Sequence, residues 1–292
     1  GGEEGEEEEQ RREAVRELVL LLLFRPSAEH QEAALRFLFA LATSERMARE
    51  VILDARVQSA MRRIVTHQEG FMRAMATAGL RIVARQPCLL QQWQLPLHDS
   101  SDILDVTFQA CTDDFDENRR AGLENLEVWF GEEAMATYIE EELRNSKRAA
   151  QLQNALAAAV EDPDWEVKRR LISLAKSVLC RCPGGSATVC SRLATYLAST
   201  FSLTKKLMSL TSDYDRVSRQ DAFIALGEVK AAWPGHGLST LFQGQDAVEL
   251  GSELLAMDCT ARAEDCSLEA VYPDETDMRI AASEIENPPD CY

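Results

Sequence analysis

The residues best suited to chemistry are the last three, Asp290-Cys291-Tyr292. They set a thiol between the Asp290 side-chain carboxylate and the terminal carboxylate of Tyr292. That α-carboxylate has a reference pKa of about 3.3–3.7, so it is ionised at neutral pH. A thiolate and a carboxylate on adjacent residues can chelate or cap a zinc ion. In the free tail the acidic neighbours oppose thiolate formation, because like charge disfavours ionisation. A metal reverses that balance by deprotonating the thiol it binds. Such an end is inert alone and becomes a ligand when it meets an open zinc site.

The zinc is expected to belong to a partner, because the rest of the chain offers no convincing site. Cysteines stand at 88, 111, 180, 182, 190, 259, 266 and 291, and only Cys180-x-Cys182-x7-Cys190 forms a cluster. It lacks paired CxxC units and a nearby His, so it reads as structural thiols. His30, His67, His98 and His236 are isolated from one another and from acidic or Cys partners in sequence. No GxGxxG, P-loop, GxSxG or HExxH occurs. The chain is therefore expected to be a non-enzymatic interaction protein with no cofactor of its own.

Charge and composition narrow the classes further. The 292 residues carry a formal charge of -18, unevenly placed. Residues 1–9 contribute -6 and residues 246–292 contribute -11, which leaves an almost neutral body between two acidic ends. A general basic surface for nucleic acid is absent, since such binding needs Lys and Arg to displace counterions. No direct nucleic-acid partner is expected. The longest apolar run, Leu18 to Phe24, is seven residues, far short of the ~20 of a membrane span, and no cleavage site follows it. No membrane partner is expected. Thinly spread cysteines suit a reducing compartment, cytoplasmic and nuclear. Because it begins at Gly1 rather than Met, the chain is expected to be a fragment or a processed product.

Helices must position these residues. Ala, Leu, Glu, Arg and Gln dominate, Pro and Gly are sparse, and no alternating β-branched run persists. Residues 1–10 read as a disordered acidic segment, residues 11–245 as an α-solenoid, and residues 246–292 as an acidic tail with a helix at 245–257. The spacing of apolar residues predicts helices over 46–65, 68–85, 100–111, 117–130, 132–144, 148–160, 164–180, 186–199, 202–211 and 215–231. Trp129, Phe130 and Trp165 read as core anchors.

Three stretches share one punctuation: an acidic turn, a nearby aromatic, one or more arginines, then an apolar stripe. They run from Thr112 to Arg120, from Glu161 to Arg170 and from Thr211 to Arg219, and their Asp113, Asp162 and Asp213 stand 49 and 51 residues apart. This is slightly above the ~40–47 of HEAT units. Asp accepts bonds from free N–H groups at a helix start, and Pro163 suits a first turn. The Asp-Pro-x-x-x-Val-Lys form, with Asp162, Val167 and Lys168, resembles the HEAT repeat. That resemblance implies a ladder in which an Arg or Lys reaches back to the Asp of a neighbouring repeat. The fold class is thus an all-α HEAT-repeat (armadillo-like) solenoid with an extended acidic C-terminal tail. An irregular helical bundle is the alternative.

The "DPDWEVKRR" of Asp162–Arg170, the later "SDYDRVSRQDAFIAL" and the DCY end together resemble the C-terminal half of the BRAT family. These are HEAT-repeat ATM activators associated with the breast-cancer susceptibility protein. The likeness covers roughly residues 105–230 and the last few residues. It implies binding to the endonuclease module of the Integrator complex, formed by subunits nine and eleven, the latter a two-zinc RNA endonuclease. It implies that Cys291 and Tyr292 meet that zinc, with Asp290 beside them, so that the tail plugs the active site as an inhibitor or assembly chaperone. Two alternatives are a HEAT adaptor in DNA-damage signalling, with an ATM-type kinase as partner and a passive tail, and a transport-receptor-like solenoid for basic cargo.

Overall fold

The computed structural model describes residues 3–24, 27–42, 44, 55–65, 69–81, 102–181, 188–233 and 247–268. Every regular element among them is helical. The first four helices are α1 (Glu3–Leu23), α2 (Ala28–Ala42), α3 (Ala55–Val65) and α4 (Gly70–Gly79). Next come α5 (Ile103–Ala110), α6 (Asp116–Trp129), α7 (Glu133–Glu142) and α8 (Ser146–Val160). Then follow α9 (Trp165–Arg181), α10 (Val189–Thr200), α11 (Leu203–Ser209) and α12 (Arg216–Ala232). The last two are α13 (Ala247–Ala256) and α14 (Cys259–Leu268).

Polar residues set the helix starts. Asp102 Oδ1 accepts from the N–H groups of Leu104 at 2.9 Å and Asp105 at 3.0 Å, and the Asp105 carboxylate accepts from the Asp102 N–H, closing a capping box over α5. Asp164 accepts from Glu166 and Val167 at the start of α9, and Asp215 from Ser218 at the start of α12. Each such cap stabilises its helix by ~1 kcal/mol.

The helices pack as a solenoid. α6, α9 and α12 form one row, with α4 before and α14 after. α5, α8 and α11 form a second row, and α7 against α10 a third. The repeat over α5–α10 is therefore three helices. This accounts for the 49- and 51-residue spacing, because the third helix adds length to a two-helix unit. One continuous apolar core runs along the stack, with Leu123, Leu126 and Trp129 of α6 and Leu171, Leu174 and Val178 of α9 at or near zero exposure. No unit closes its core alone; each apolar face is covered by the next.

Four expectations need correction. Residues 3–10, expected to be disordered, begin α1. Glu is a good helix former and favours the positive helix start, and Arg12 pairs with Glu9 at 3.5 Å one turn on. Residues 259–268, expected to be acidic tail beyond its one helix at 245–257, form α14. Small residues at Cys259, Ala263 and Cys266 line its buried face, a stripe that carries little hydrophobic signal. Trp165 is 38% exposed and not a core anchor. It is the first residue of α9, at the edge of the stack. Finally, the ladder cations reach forward along the sequence, as described next.

Candidate functional site

Three acidic turns build the inter-unit ladder. Asp113, Asp162 and Asp213 each use Oδ1 to accept from the N–H two residues on: Phe115 at 2.9 Å, Asp164 at 2.9 Å and Asp215 at 2.8 Å. That turn fixes the carboxylate and leaves Oδ2 for a cation of the preceding unit. Arg73 grips Asp113 with Nε–Oδ2 at 2.8 Å and a second bond at 2.6 Å. Arg119 grips Asp162 at 2.6 and 3.0 Å. Lys168 reaches Asp213 at 2.6 Å. The cation therefore precedes its Asp in sequence, the reverse of the direction expected.

Arginines early in α6 and α12 tie down the turns before them. Arg119 donates to the carbonyls of Asp113 at 2.9 Å and Asp114 at 3.2 Å. Arg219 repeats this on Asp213 and Tyr214, at 2.8 and 2.9 Å. Aromatic residues add a third link. Tyr214 donates to the Pro163 carbonyl at 3.1 Å, and the Lys168 ammonium lies 4.4 Å from its ring centre. Phe115 lies over Gly70, where a Cβ would stand 2.4 Å from its ring.

Electrostatics follow from this geometry. Burial alone would raise Asp113, but bonds from Arg73, the Phe115 N–H and neighbouring polar side chains outweigh it and lower the pKa to about 2. Arg119 is raised, first by its bond to Asp162. A second network spans α5, α7 and α8. Arg148 donates to Asp102 at 2.7 and 3.0 Å and pairs with Asp105 at 2.9 Å. Tyr138 donates to Asp102 at 2.7 Å, and burial followed by this carboxylate raises its pKa. Both networks hold one helix unit on the next.

The terminal residues Asp290, Cys291 and Tyr292 lie outside the described residues, as do Cys182, His67, His98 and His236. Cys180 and Cys190 are free, half-buried thiols whose pKa values burial raises, Cys190 to about 11. Among the described residues no group of His, Cys, Asp and Glu is set to hold a metal, and no helix is long and apolar enough to cross a membrane. Arg169 and Arg170 are surface ion-pair partners, to Asp221 at 3.1 Å and Glu124 at 2.8 Å. Sequence reasoning missed Arg73, whose only signal is its position 40 residues before Asp113. It also missed the Asp102–Tyr138–Arg148 set, which no local spacing marks.

No family model and no curated protein matches the chain. Solved structures do. An engineered protein from a structural genomics consortium is 18% identical over 86% of this chain and 96% of its own, with a TM-score of 0.49. A designed armadillo repeat protein is 14% identical over 88% and 92%, with a TM-score of 0.48. Another, solved in complex with the peptide (KR)4, is 14% identical over 92% and 97%, with a TM-score of 0.49.

Proposed function

We propose that the chain is a non-enzymatic repeat scaffold that docks a zinc-dependent RNA endonuclease and holds it inactive with its own C-terminal residues. The observation that supports the scaffold half is the ladder of Arg73–Asp113, Arg119–Asp162 and Lys168–Asp213. It locks successive helix units into one stiff body, as a docking surface requires.

The plug half rests on Asp290-Cys291-Tyr292 and on the resemblance to the BRAT family. That resemblance gives the partner as the Integrator endonuclease module, subunits eleven and nine. The Cys291 thiolate and the Tyr292 carboxylate occupy the open metal position, where the RNA phosphate and attacking water belong. Losing that position stops metal-assisted hydrolysis. Three residues alone lose entropy on ordering and bind modestly. A docked solenoid raises their effective concentration into the millimolar range.

Appending one glycine after Tyr292 tests this, because it moves the carboxylate and leaves the repeats untouched. The expected result is that the nuclease still co-purifies but regains activity. Unchanged inhibition overturns the plug. If an ATM-type kinase, and no nuclease, is retained after residues 269–292 are deleted, the chain is instead an adaptor with a passive tail.

A further inference from the structure

The last junction in the helix row differs from those before it. Between α4 and α6, Arg81, just past the end of α4, meets Glu124 at 2.6 Å. Between α6 and α9, Arg170 also meets Glu124, at 2.8 Å, and Ser173 donates to Glu127 at 2.8 Å. Between α9 and α12, Arg169 meets Asp221 at 3.1 Å and Lys176 meets Glu228 at 3.2 Å. Each junction sets cations of one helix against carboxylates of another.

Between α12 and α14 a groove of about 520 Å³ opens instead. Phe223, Gly227, Ala231, Cys259 and Ala263 line it with apolar surface. Ile224 is 45% exposed beside them. Glu228 on one wall and Glu264 on the other each bring a carboxylate, and no Lys or Arg lines the groove. Lys176 reaches Glu228 from α9, while Glu264 has no cation partner among the described residues.

The walls are fixed in place. Arg216 of α12 donates to the Cys266 carbonyl of α14 at 3.1 Å. Lys230 of α12 donates to the carbonyls of Leu255 and Met257 at 3.1 and 2.7 Å, holding the corner between α13 and α14. Gly227 keeps the floor low, since a Cβ there would touch Cys259 at 3.4 Å. A preset groove spares a ligand the cost of ordering it.

We infer that this groove docks an amphipathic helix of a partner protein whose apolar stripe is flanked by Lys or Arg. An apolar floor takes the anchor side chains, spaced i, i+3, i+7. The ten residues of α14 span about 15 Å, enough for two turns of such a helix. The two carboxylates decide the charge of the occupant. The chain's own residues 269–292 carry seven Asp or Glu against Arg279 alone, and a second copy carries -18. Both are disfavoured beside Glu264, which has no cation partner among the described residues, whereas a basic helix supplies one.

The test uses the full chain and a fluorescein-labelled peptide of about 14 residues, Leu on one helical face and Lys on the other, with a peptide of the same composition in scrambled order as control. Fluorescence anisotropy should show saturable binding of the ordered peptide, at least about tenfold tighter than the scrambled one. Ile224→Glu and Gly227→Leu should each weaken it about tenfold or more. Glu228→Lys with Glu264→Lys, both on exposed wall positions, should abolish it and give binding to the matching Leu/Glu peptide. Circular dichroism confirms that each variant is folded. Affinity unchanged by the charge reversal overturns the inference. So does binding that emerges only after residues 269–292 are deleted, or a concentration-dependent dimer lost in Ile224→Glu. In those cases the occupant is the chain's own end or a second copy. The glycine appended after Tyr292 leaves this binding intact, so the groove and the terminal plug stand or fall separately.

Discussion

Arg119 and Asp162 stand 43 residues apart in sequence and 2.6 Å apart in space, with Asp162 only 5% exposed. A carboxylate that deep in the stack depends on its partner. Removing one member of a buried pair leaves an uncompensated charge and costs about 3–5 kcal/mol. Arg119→Ala should therefore lower stability by that much in urea titrations. Arg119→Leu with Asp162→Leu should recover part of the loss, because no charge is then stranded although the Asp164 N–H loses its acceptor. A double variant as unstable as the two single losses added together would show that the residues act independently.

The Arg73–Asp113 pair makes a pH prediction. The Asp113 pKa is lowered from 3.8 to about 2 in the folded chain. A depressed acid stabilises the fold above its unfolded pKa and loses that contribution as the pH falls through its folded one. The pair should hold the α4–α6 junction down to about pH 4 and release it progressively towards pH 2. Asp113→Asn should flatten this part of the acid-unfolding curve and leave the region above pH 5 parallel to wild type. Thermal melts across pH 2 to 6 check it, and an unaltered acid limb in the variant refutes the assignment.

Much of this was legible from local pattern. The turns at Asp113, Asp162 and Asp213 announce themselves because capping is a short-range business between residues two or three apart. Apolar periodicity placed α6, α9 and α12 for the same reason. What failed was non-local or chemically quiet. Nothing beside Arg73 says which Asp it will meet, because that contact is set by the stacking of whole units. α14 presents Ala263 and Cys266 to Phe223 of α12, and such small side chains scarcely raise the apolar signal above the acidic background. The start of α1 over residues 3–10 escaped because a run of glutamates reads as disorder by charge and as helix by propensity. Asp290, Cys291 and Tyr292 lie outside the described residues, so their role rests on chemistry and resemblance.

Ser202 carries a specific local strain. It precedes α11 with φ of 52° and ψ of 45°, the left-handed region. An L side chain there costs roughly 1–2 kcal/mol, and glycine does not pay it. Its hydroxyl makes no capping bond to α11, so little is lost with the side chain. Ser202→Gly should raise stability by about 0.5–1 kcal/mol after the greater flexibility of unfolded glycine is set against the relief. A lowered melting temperature would mean that the hydroxyl holds something of more value than the strain.

Gly122 and Cys111 make the opposite case. Gly122 lies inside α6, where alanine is intrinsically favoured by about 1 kcal/mol. Yet a Cβ at 122 would stand 2.8 Å from Cys111 Sγ, 2.9 Å from the Cys111 backbone nitrogen and 3.2 Å from the Thr107 carbonyl. The sulfur can turn away, but the backbone of α5 cannot. Gly122→Ala should therefore destabilise by roughly 1–3 kcal/mol, and adding Cys111→Ala should restore only part of it. The thiol gives an independent readout. Cys111 is wholly buried, and burial raises its pKa to about 12, so at pH 8 it should resist iodoacetamide until α5 and α6 separate. In Gly122→Ala that separation comes more easily, and Cys111 labelling, followed by peptide mass mapping, should accelerate in step with the lost stability. A variant that gains stability, or one that loses it with Cys111 still protected, would show that α5 and α6 do not meet at Gly122.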